Sequence, residues 1–284
     1  METVRDVSAL RELVGEARGR GLTVGLVPTM GALHDGHLSL VRLARAECGF
    51  VVVSIFVNPL QFGPGEDLKR YPRAPEKDRR LLEEAGVDAT YVPDPTNFYP
   101  PDFSTAVEVG AVTEGGEGGA RPGHFRGVAT VVAKLFLQTQ PDAAYFGRKD
   151  LQQVALVRRM IRDLDFPIRL VVGEIVREPD GLAMSSRNAY LTGDERALAG
   201  AFPKILLTEA EGRLAAPGED ARALEERVRR RLEDAGLAVD YVEVVDSATM
   251  ARPAQVASGN ALTAAVRLGK TRLIDNVLLR GESD

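Results

Sequence analysis

Residues 50–57, Phe-Val-Val-Val-Ser-Ile-Phe-Val, form a run of β-branched and aromatic side chains with almost no polar interruption. A strand built this way is apolar on both faces, so both faces must be covered. Helices cover both faces of a sheet when the strands run parallel and crossover segments join them. The flanking sequence supplies those segments. Val4, Val7, Leu10, Leu13, Val14 and Ala17 predict a helix over 4–18, and an apolar strand follows at 22–27. Further helices are expected at 38–46, 75–85 with Pro75 in its first turn, 127–138 and 151–164. Further strands are expected at 89–92, stopped by Pro93 and Pro95, and at 143–146 and 168–172. Such alternation predicts an α/β fold with a doubly wound parallel sheet.

The pattern changes after about residue 175. Two charged helical stretches, 194–213 and 220–235, are separated by Ala215-Ala216-Pro217-Gly218. Three strand-like runs follow without helices between them, at 239–245, 261–266 and 272–279. Helices followed by consecutive strands predict a smaller C-terminal α+β domain, with the boundary near 177–188. The expected division is 1–176 and 177–284. The glycine-rich patch at 114–119 reads as a linker or a mobile flap.

Composition narrows the function classes. The 284 residues are 44% apolar and 27% charged with a net charge of −5, ordinary for a globular protein without a nucleic-acid or membrane partner. Cys48 is the single cysteine, which excludes an internal disulfide, suits a reducing compartment and predicts a buried structural thiol. The first residues are charged and amphipathic rather than leader-like, and no apolar run approaches the roughly 18 residues of a bilayer span, so a cytoplasmic location is expected. Only six of the 36 Lys and Arg residues are lysine, and Lys149 is the one inside a motif.

The polar motifs fall where strands end or helices begin. All three histidines lie in two glycine-bearing segments, and His34-Asp35-Gly36-His37 opens the helix after the first expected strand. A helix start offers N–H groups and a positive dipole end to an anion, imidazoles add donors, and Gly36 permits close backbone approach. Met184-Ser185-Ser186-Arg187-Asn188 follows the turn Pro179-Asp180-Gly181 and carries hydroxyl and guanidinium donors suited to a polyphosphate. Phe146-Gly147-Arg148-Lys149-Asp150 follows another strand; its lysine suits a phosphate and its aspartate a ribose hydroxyl or a helix cap. Gln61 after the 50–57 strand and Gln152-Gln153 at a helix start offer amides to a small organic acid. Arg121-Pro122-Gly123-His124-Phe125-Arg126-Gly127 completes the set. Neither a Gly-x-Gly-x-x-Gly fingerprint nor a Walker A loop is present, so a dinucleotide site and a P-loop are both excluded. A metal site at the histidines lacks a second ligand cluster.

A joint pattern emerges from Pro28-Thr29-Met30-Gly31 through His37, Phe56-Val57-Asn58-Pro59 with Gln61-Phe62, Tyr71-Pro72-Arg73, Arg121 to Phe125, Lys149-Asp150 with Gln152-Gln153, Asp180 to Asn188, and Arg272-Leu273-Ile274-Asp275-Asn276. This pattern resembles the pantoate–β-alanine ligase (pantothenate synthetase) family, within the His-x-Gly-His nucleotidylyltransferase superfamily, over essentially the whole chain. The resemblance implies a Rossmann-like first domain and a C-terminal lid domain. It implies condensation of pantoate with β-alanine, driven by ATP through a pantoyl-adenylate and releasing AMP and pyrophosphate. It implies ATP contacts from Met30, Gly31, Ala32, Leu33, His34, Asp35, Gly36, His37, Gly147, Arg148, Lys149, Asp150, the Val176 backbone, Met184, Ser185, Ser186 and Arg187. His37, His34, Lys149 and Arg187 are the expected catalytic residues, Gln61 and Gln153 the pantoate ligands, and Gln61 also the β-alanine neighbour. Magnesium dependence and a homodimer through the N-terminal domain are implied as well. Two departures stand out: Arg148 replaces the glutamate of the family's Phe-Gly-Glu-Lys-Asp, and the acidic pair associated with the metal falls at Lys77 and Asp78. An adenylyltransferase that stops at a nucleotide-linked product, or a binding protein without turnover, remain alternatives on the motifs alone.

Overall fold

The computed structural model describes residues 1–213 and 218–279, so Ala215, Ala216 and Pro217 of the expected turn lie outside the described residues. Contacts divide the chain into two compact units. The first comprises Met1–Val109, Arg121–Arg148 and Leu156–Glu174. The second comprises Gly110–Ala120, Lys149–Ala155 and the described residues from Ile175 on. Two short earlier segments, 110–120 and 149–155, group with the C-terminal residues, which linear order does not display.

The first unit is built on strands β1 (Glu2–Val4), β2 (Val24–Thr29), β3 (Phe50–Ile55), β4 (Ala89–Tyr91), β5 (Ala143–Gly147) and β6 (Arg169–Gly173). They form one sheet in the order β1-β4-β3-β2-β5-β6, and every pairing is parallel. Helices α1 (Val7–Gly19), α2 (Asp35–Glu47), α3 (Pro75–Glu84), the single turn α4 (Pro95–Phe98) and α6 (His124–Thr139) accompany the sheet. Val27, Val51, Val53 and Tyr145 pack in one cluster with Leu40, Val41 and Ala44 of α2 and Leu82 of α3. The alternate positions Leu26, Val52 and Ala144 are also fully buried, on the face where α1 and α6 meet β2. The two-sided burial inferred for the 50–57 run is thus realised. The chain runs from β2 to β3 and β4 on one side and to β5 and β6 on the other. The order reverses between β2 and β5, and ligands of open α/β sheets bind at such a reversal, beyond the carboxyl ends of the strands.

The second unit holds α5 (Gly116–Ala120), the first residues of α7 (Leu151–Asp163), α8 (Gly193–Ala199), α9 (Ala201–Arg213), α10 (Ala221–Asp234) and the antiparallel strands β7 (Ala238–Asp246), β8 (Asn260–Leu268) and β9 (Thr271–Leu279). Its core joins Phe202 and Leu206 of α9, Leu224 and Val228 of α10, and Val244, Leu262 and Leu273 of the sheet.

Three local readings change. Val4 belongs to β1, and the first helix starts at Val7 behind Asp6, whose carboxylate accepts from Ala9 N–H at 2.9 Å. A three-residue edge strand is too short to show a period. The expected 194–213 helix is two helices broken at Gly200. The glycine-rich patch contains α5.

Candidate nucleotide and acid site

Beyond β2 the chain turns sharply into α2. Gly31 has φ of +80°, and a Cβ there would stand 3.0 Å from Ile55 Cγ2 and 3.1 Å from Asp78 Oδ2, so only glycine fits without strain. Thr29 Oγ1 donates to the Ser54 carbonyl at 2.7 Å and accepts from Gly31 N–H at 3.2 Å. Asp78, 1% exposed, accepts from the N–H groups of Ala32 and Leu33, both at 2.8 Å. The loop is therefore tied to β3 through Ser54 and to α3 through Asp78 before the helix begins. His34 is the N-cap residue of α2, and its N–H donates weakly to His37 Nδ1 at 3.4 Å. The two rings lie 4.1 Å apart. With Nδ1 accepting, the neutral His37 ring carries its proton on Nε2, a donor at the positive end of a 13-residue helix. His34, Gly36 and His37 are half-buried and Asp35 is exposed.

Gln61 ends a short 3-10 turn, Pro59–Gln61, just after β3. Its Oε1 accepts from Asn58 Nδ2 at 3.0 Å and its Nε2 donates to Met30 Sδ at 3.2 Å. Asn58 is 1% exposed and fully engaged: its second donor meets the Gly127 carbonyl, and its Oδ1 accepts from Tyr99 Oη and Leu60 N–H. That network fixes the amide of Gln61 with oxygen and nitrogen in defined places. Met30, His34, His37 and Gln61 are thereby assembled on the first unit. Gly147 ends β5, and Arg148 pairs with Glu174. Arg148, where the resemblance implied a glutamate, thus has its charge compensated on the neighbouring strand end.

The second unit organises the other predicted residues. The Lys149 carbonyl accepts from Asn276 Nδ2 at 3.0 Å, and Lys149 Nζ lies 3.9 Å from the Asp150 carboxylate. Of the two adjacent glutamines, Gln152 is 5% exposed and consumed by backbone: Nε2 faces the carbonyls of Val112, Glu114 and Gly115, and Oε1 accepts from Glu117 N–H. Gln153 is half-buried. Residues 176–184 fold back on themselves about Gly181, φ +89°, with Met184 N–H donating to the Val176 carbonyl at 2.9 Å. Ser185 Oγ then accepts from Arg187 N–H at 3.3 Å at the start of the short helix Ser186–Tyr190. Met184, Ser185, Ser186 and Arg187 are all half-buried.

The residues that support this arrangement were not assigned from the sequence. Arg272, Asp275 and Asn276 are three residues of one strand, β9. Arg272 pairs with Glu117 at 2.7 Å and Asp240 at 2.6 Å, Asp275 grips Arg177 at 2.6 and 3.1 Å, and Asn276 holds Lys149. Each reaches a different segment that carries or borders predicted site residues. The available signal was the Arg272-to-Asn276 motif itself, polar residues inside an apolar strand. Magnesium ligation is another matter. Among the described residues no group of three or more His, Cys, Asp or Glu side chains is placed to hold a metal ion. Asp78 is committed to the Ala32 and Leu33 N–H groups, and Lys77 precedes it. Among the described residues the side chains thus form no cluster of three or more ligands for a metal.

Comparison with known proteins agrees with the geometry. The family described as "Pantoate-beta-alanine ligase" matches residues 2–278. A pantothenate synthetase of Moorella thermoacetica is 50% identical, with 98% of this chain and 99% of the relative covered. A crystal structure of pantothenate synthetase from Thermus thermophilus superimposes with a TM-score of 0.92 at 46% identity, covering 99% of this chain and 100% of the other. A pantoate–β-alanine ligase of Francisella tularensis, described as complexed with beta-gamma ATP and β-alanine, gives 0.84 at 31% identity, covering 98% of both chains.

Proposed function

The chain belongs to the pantoate–β-alanine ligase family, and from that premise we propose that it condenses pantoate with β-alanine through a pantoyl-adenylate, consuming ATP and releasing AMP and pyrophosphate. The match over residues 2–278 carries this reading. The described complex of the Francisella tularensis relative with a beta-gamma ATP species and β-alanine supports the choice of nucleotide and amine.

The reaction follows from the chemistry of the groups. A carboxylate is a poor acyl donor, so a pantoate oxygen attacks the α-phosphorus and the bond to pyrophosphate breaks. The amine of β-alanine then attacks the acyl carbon, AMP leaves, and the amine gives up a proton. Catalysis of such a displacement rests on positioning and on stabilising developing charge. His37 presents its Nε2 proton, and His34 the start of α2, to the triphosphate. Lys149 and Arg187 supply positive charge, Ser185 and Ser186 donate to phosphoryl oxygens, and the Val176 backbone meets the adenine. The anchored amide of Gln61, with Gln153, orients pantoate, and Gln61 adjoins the amine. Magnesium, if required, would be held by phosphate oxygens and water and would supply charge neutralisation there, since among the described residues no cluster of three or more His, Cys, Asp or Glu side chains is placed to ligate it. We assign the chain to the cytoplasm, consistent with its buried free thiol Cys48, and to a homodimer formed through the first unit.

One assay tests the reaction. The protein is incubated with ATP and pantoate, with and without β-alanine, and AMP, pyrophosphate and pantothenate are followed. AMP and pantothenate released only with β-alanine is the expected result. A free adenylylated product instead identifies an adenylyltransferase, and absence of turnover a binding protein.

A further inference from the structure

Lys134 has no part in the proposed function, yet it lies among three aromatic rings. Its Nζ is 5.1 Å from the ring centre of Phe98, 5.6 Å from that of Tyr99 and 4.8 Å from that of Phe103. Tyr99 in turn packs 4.9 Å from both phenylalanine rings, centre to centre. Its hydroxyl leaves this apolar cluster and donates to Asn58 Oδ1 at 3.0 Å. Burial pushes the Tyr99 hydroxyl up, so it keeps its proton at neutral pH and serves as a donor. Gly127 and Lys134 stand at i and i+7 of α6, hence on one face of that helix. The same face thus reaches Asn58 through the Gly127 carbonyl and Tyr99 through the ammonium.

The bonds from Tyr99 run in one direction. The Gly127 carbonyl can only accept and the Leu60 N–H can only donate, so Asn58 must turn Nδ2 to the first and Oδ1 to the second. Nδ2 also faces Gln61, so the Gln61 atom that meets it at 3.0 Å is the acceptor Oε1. The donor Nε2 is thereby the end offered to a ligand, with only Met30 Sδ bonded to it, at 3.2 Å. A thioether is a weak acceptor, and an oxygen of an organic acid displaces it readily. We propose that Tyr99, braced by Lys134, is a positioning residue that fixes the polarity of the Gln61 amide through Asn58, so that a donor rather than an acceptor meets pantoate. The proposal rests on the reading that Gln61 binds pantoate. Without the Tyr99 hydroxyl, Asn58 Oδ1 keeps only the Leu60 bond at 3.3 Å, a long one. Asn58 is buried, so solvent does not make good the loss. Its amide is then free to tilt, and the amide of Gln61 loses its fixed neighbour.

Steady-state kinetics on the full chain, with each substrate varied in turn, test this in Tyr99→Phe, Lys134→Met, Lys134→Arg, Gln61→Ala and the double variant of Tyr99→Phe with Gln61→Ala. Tyr99→Phe removes the hydroxyl alone. Its pantoate KM should rise roughly fivefold, the scale of one lost hydrogen bond, while ATP KM and kcat stay within about twofold. Lys134→Met should raise pantoate KM roughly threefold, the scale of a cation–π contact, and Lys134→Arg, which keeps the charge, should stay near the unaltered protein. If Tyr99 acts through Gln61, its substitution adds less than about twofold once Gln61 is alanine, because coupled residues are not additive. An undiminished Tyr99→Phe effect in the double variant overturns the route through Gln61. Unchanged pantoate KM in Tyr99→Phe, with pantoate KM raised in Gln61→Ala, overturns the role of Tyr99 alone. Equal losses for pantoate and ATP, with a lowered Tm, overturn it in favour of structural support. A loss in Lys134→Arg as large as that in Lys134→Met overturns the part given to the ammonium. Unchanged pantoate KM in Gln61→Ala overturns the assignment of Gln61 and the proposal with it.

Discussion

His37 is oriented by its own helix. The His34 N–H fills its Nδ1, so the remaining nitrogen is a donor directed by the fold rather than by a ligand. If that donor meets charge developing in the adenylation step, His37→Ala should lower kcat/KM by roughly 10²-fold or more, as loss of a transition-state donor does. Adenylation near the normal rate in that variant would sink the assignment. The presence and spacing of both histidines were legible in the sequence. The tautomer was not, because it depends on a backbone contact three residues away that only a formed helix creates. Asp78 makes the same point more strongly. The resemblance implied a place for it in an acidic pair near a metal, yet both oxygens serve a loop 45 and 46 residues away. The sequence shows a carboxylate, and the fold decides what it is for.

Among the elements, α6 and β9 do the supporting. Gly127 of α6 lies against the Gln61 turn: a Cβ there would overlap the Leu60 carbonyl and stand 2.6 Å from the Gln61 nitrogen. Gly127→Ala therefore cannot be absorbed by a side-chain shift, since the obstacle is backbone. Overpacking of this kind costs about 1–3 kcal/mol. The expected result is a lowered Tm by calorimetry together with weakened pantoate binding; an unaltered Tm would show that α6 slides freely. On β9, Asp275 is 3% exposed and bonded twice to Arg177. Removing one member of a buried ion pair strands the other and costs about 3–5 kcal/mol. Asp275→Ala should accordingly destabilise the second unit by chemical denaturation, and a loss under about 1 kcal/mol would contradict the buried pairing. Element positions were largely readable because strands and helices bury side chains at different periods. The exceptions were β1, three residues long, the short helices α4 and α5, and the break at Gly200, which leaves the apolar spacing on both sides intact.

In each unit arginine clusters hold some carboxylates more acidic than usual, whereas burial pushes the Asp275 carboxyl up despite its pairing with Arg177. Burial raises the Glu66, Glu209 and Asp240 carboxyls, but bonds to Arg121, to Arg231 and Arg227, and to Arg267 and Arg272 respectively outweigh it, and all three end below their ordinary values. A carboxyl held low in the folded state stabilises the fold at pH above its unfolded value, about 4, and that contribution is lost as pH falls through the folded value. Tm should therefore fall steadily between about pH 5 and about pH 2, and a flat or rising Tm over that range would refute the pairing. What the sequence determined by itself was the order of the longer strands and helices, the two-sided burial of the 50–57 strand, and the placing of polar segments at strand ends and helix starts. These depend on local periodicity and on the chemistry of short motifs. Tertiary structure alone decided that Gln152 is spent on the 112–117 backbone while Gln153 is not so engaged there, and that Arg148 answers to Glu174. It alone grouped 110–120 and 149–155 with the C-terminal residues. A hydrogen bond between residues distant in the chain has no local period, so its partners appear only when the chain has folded.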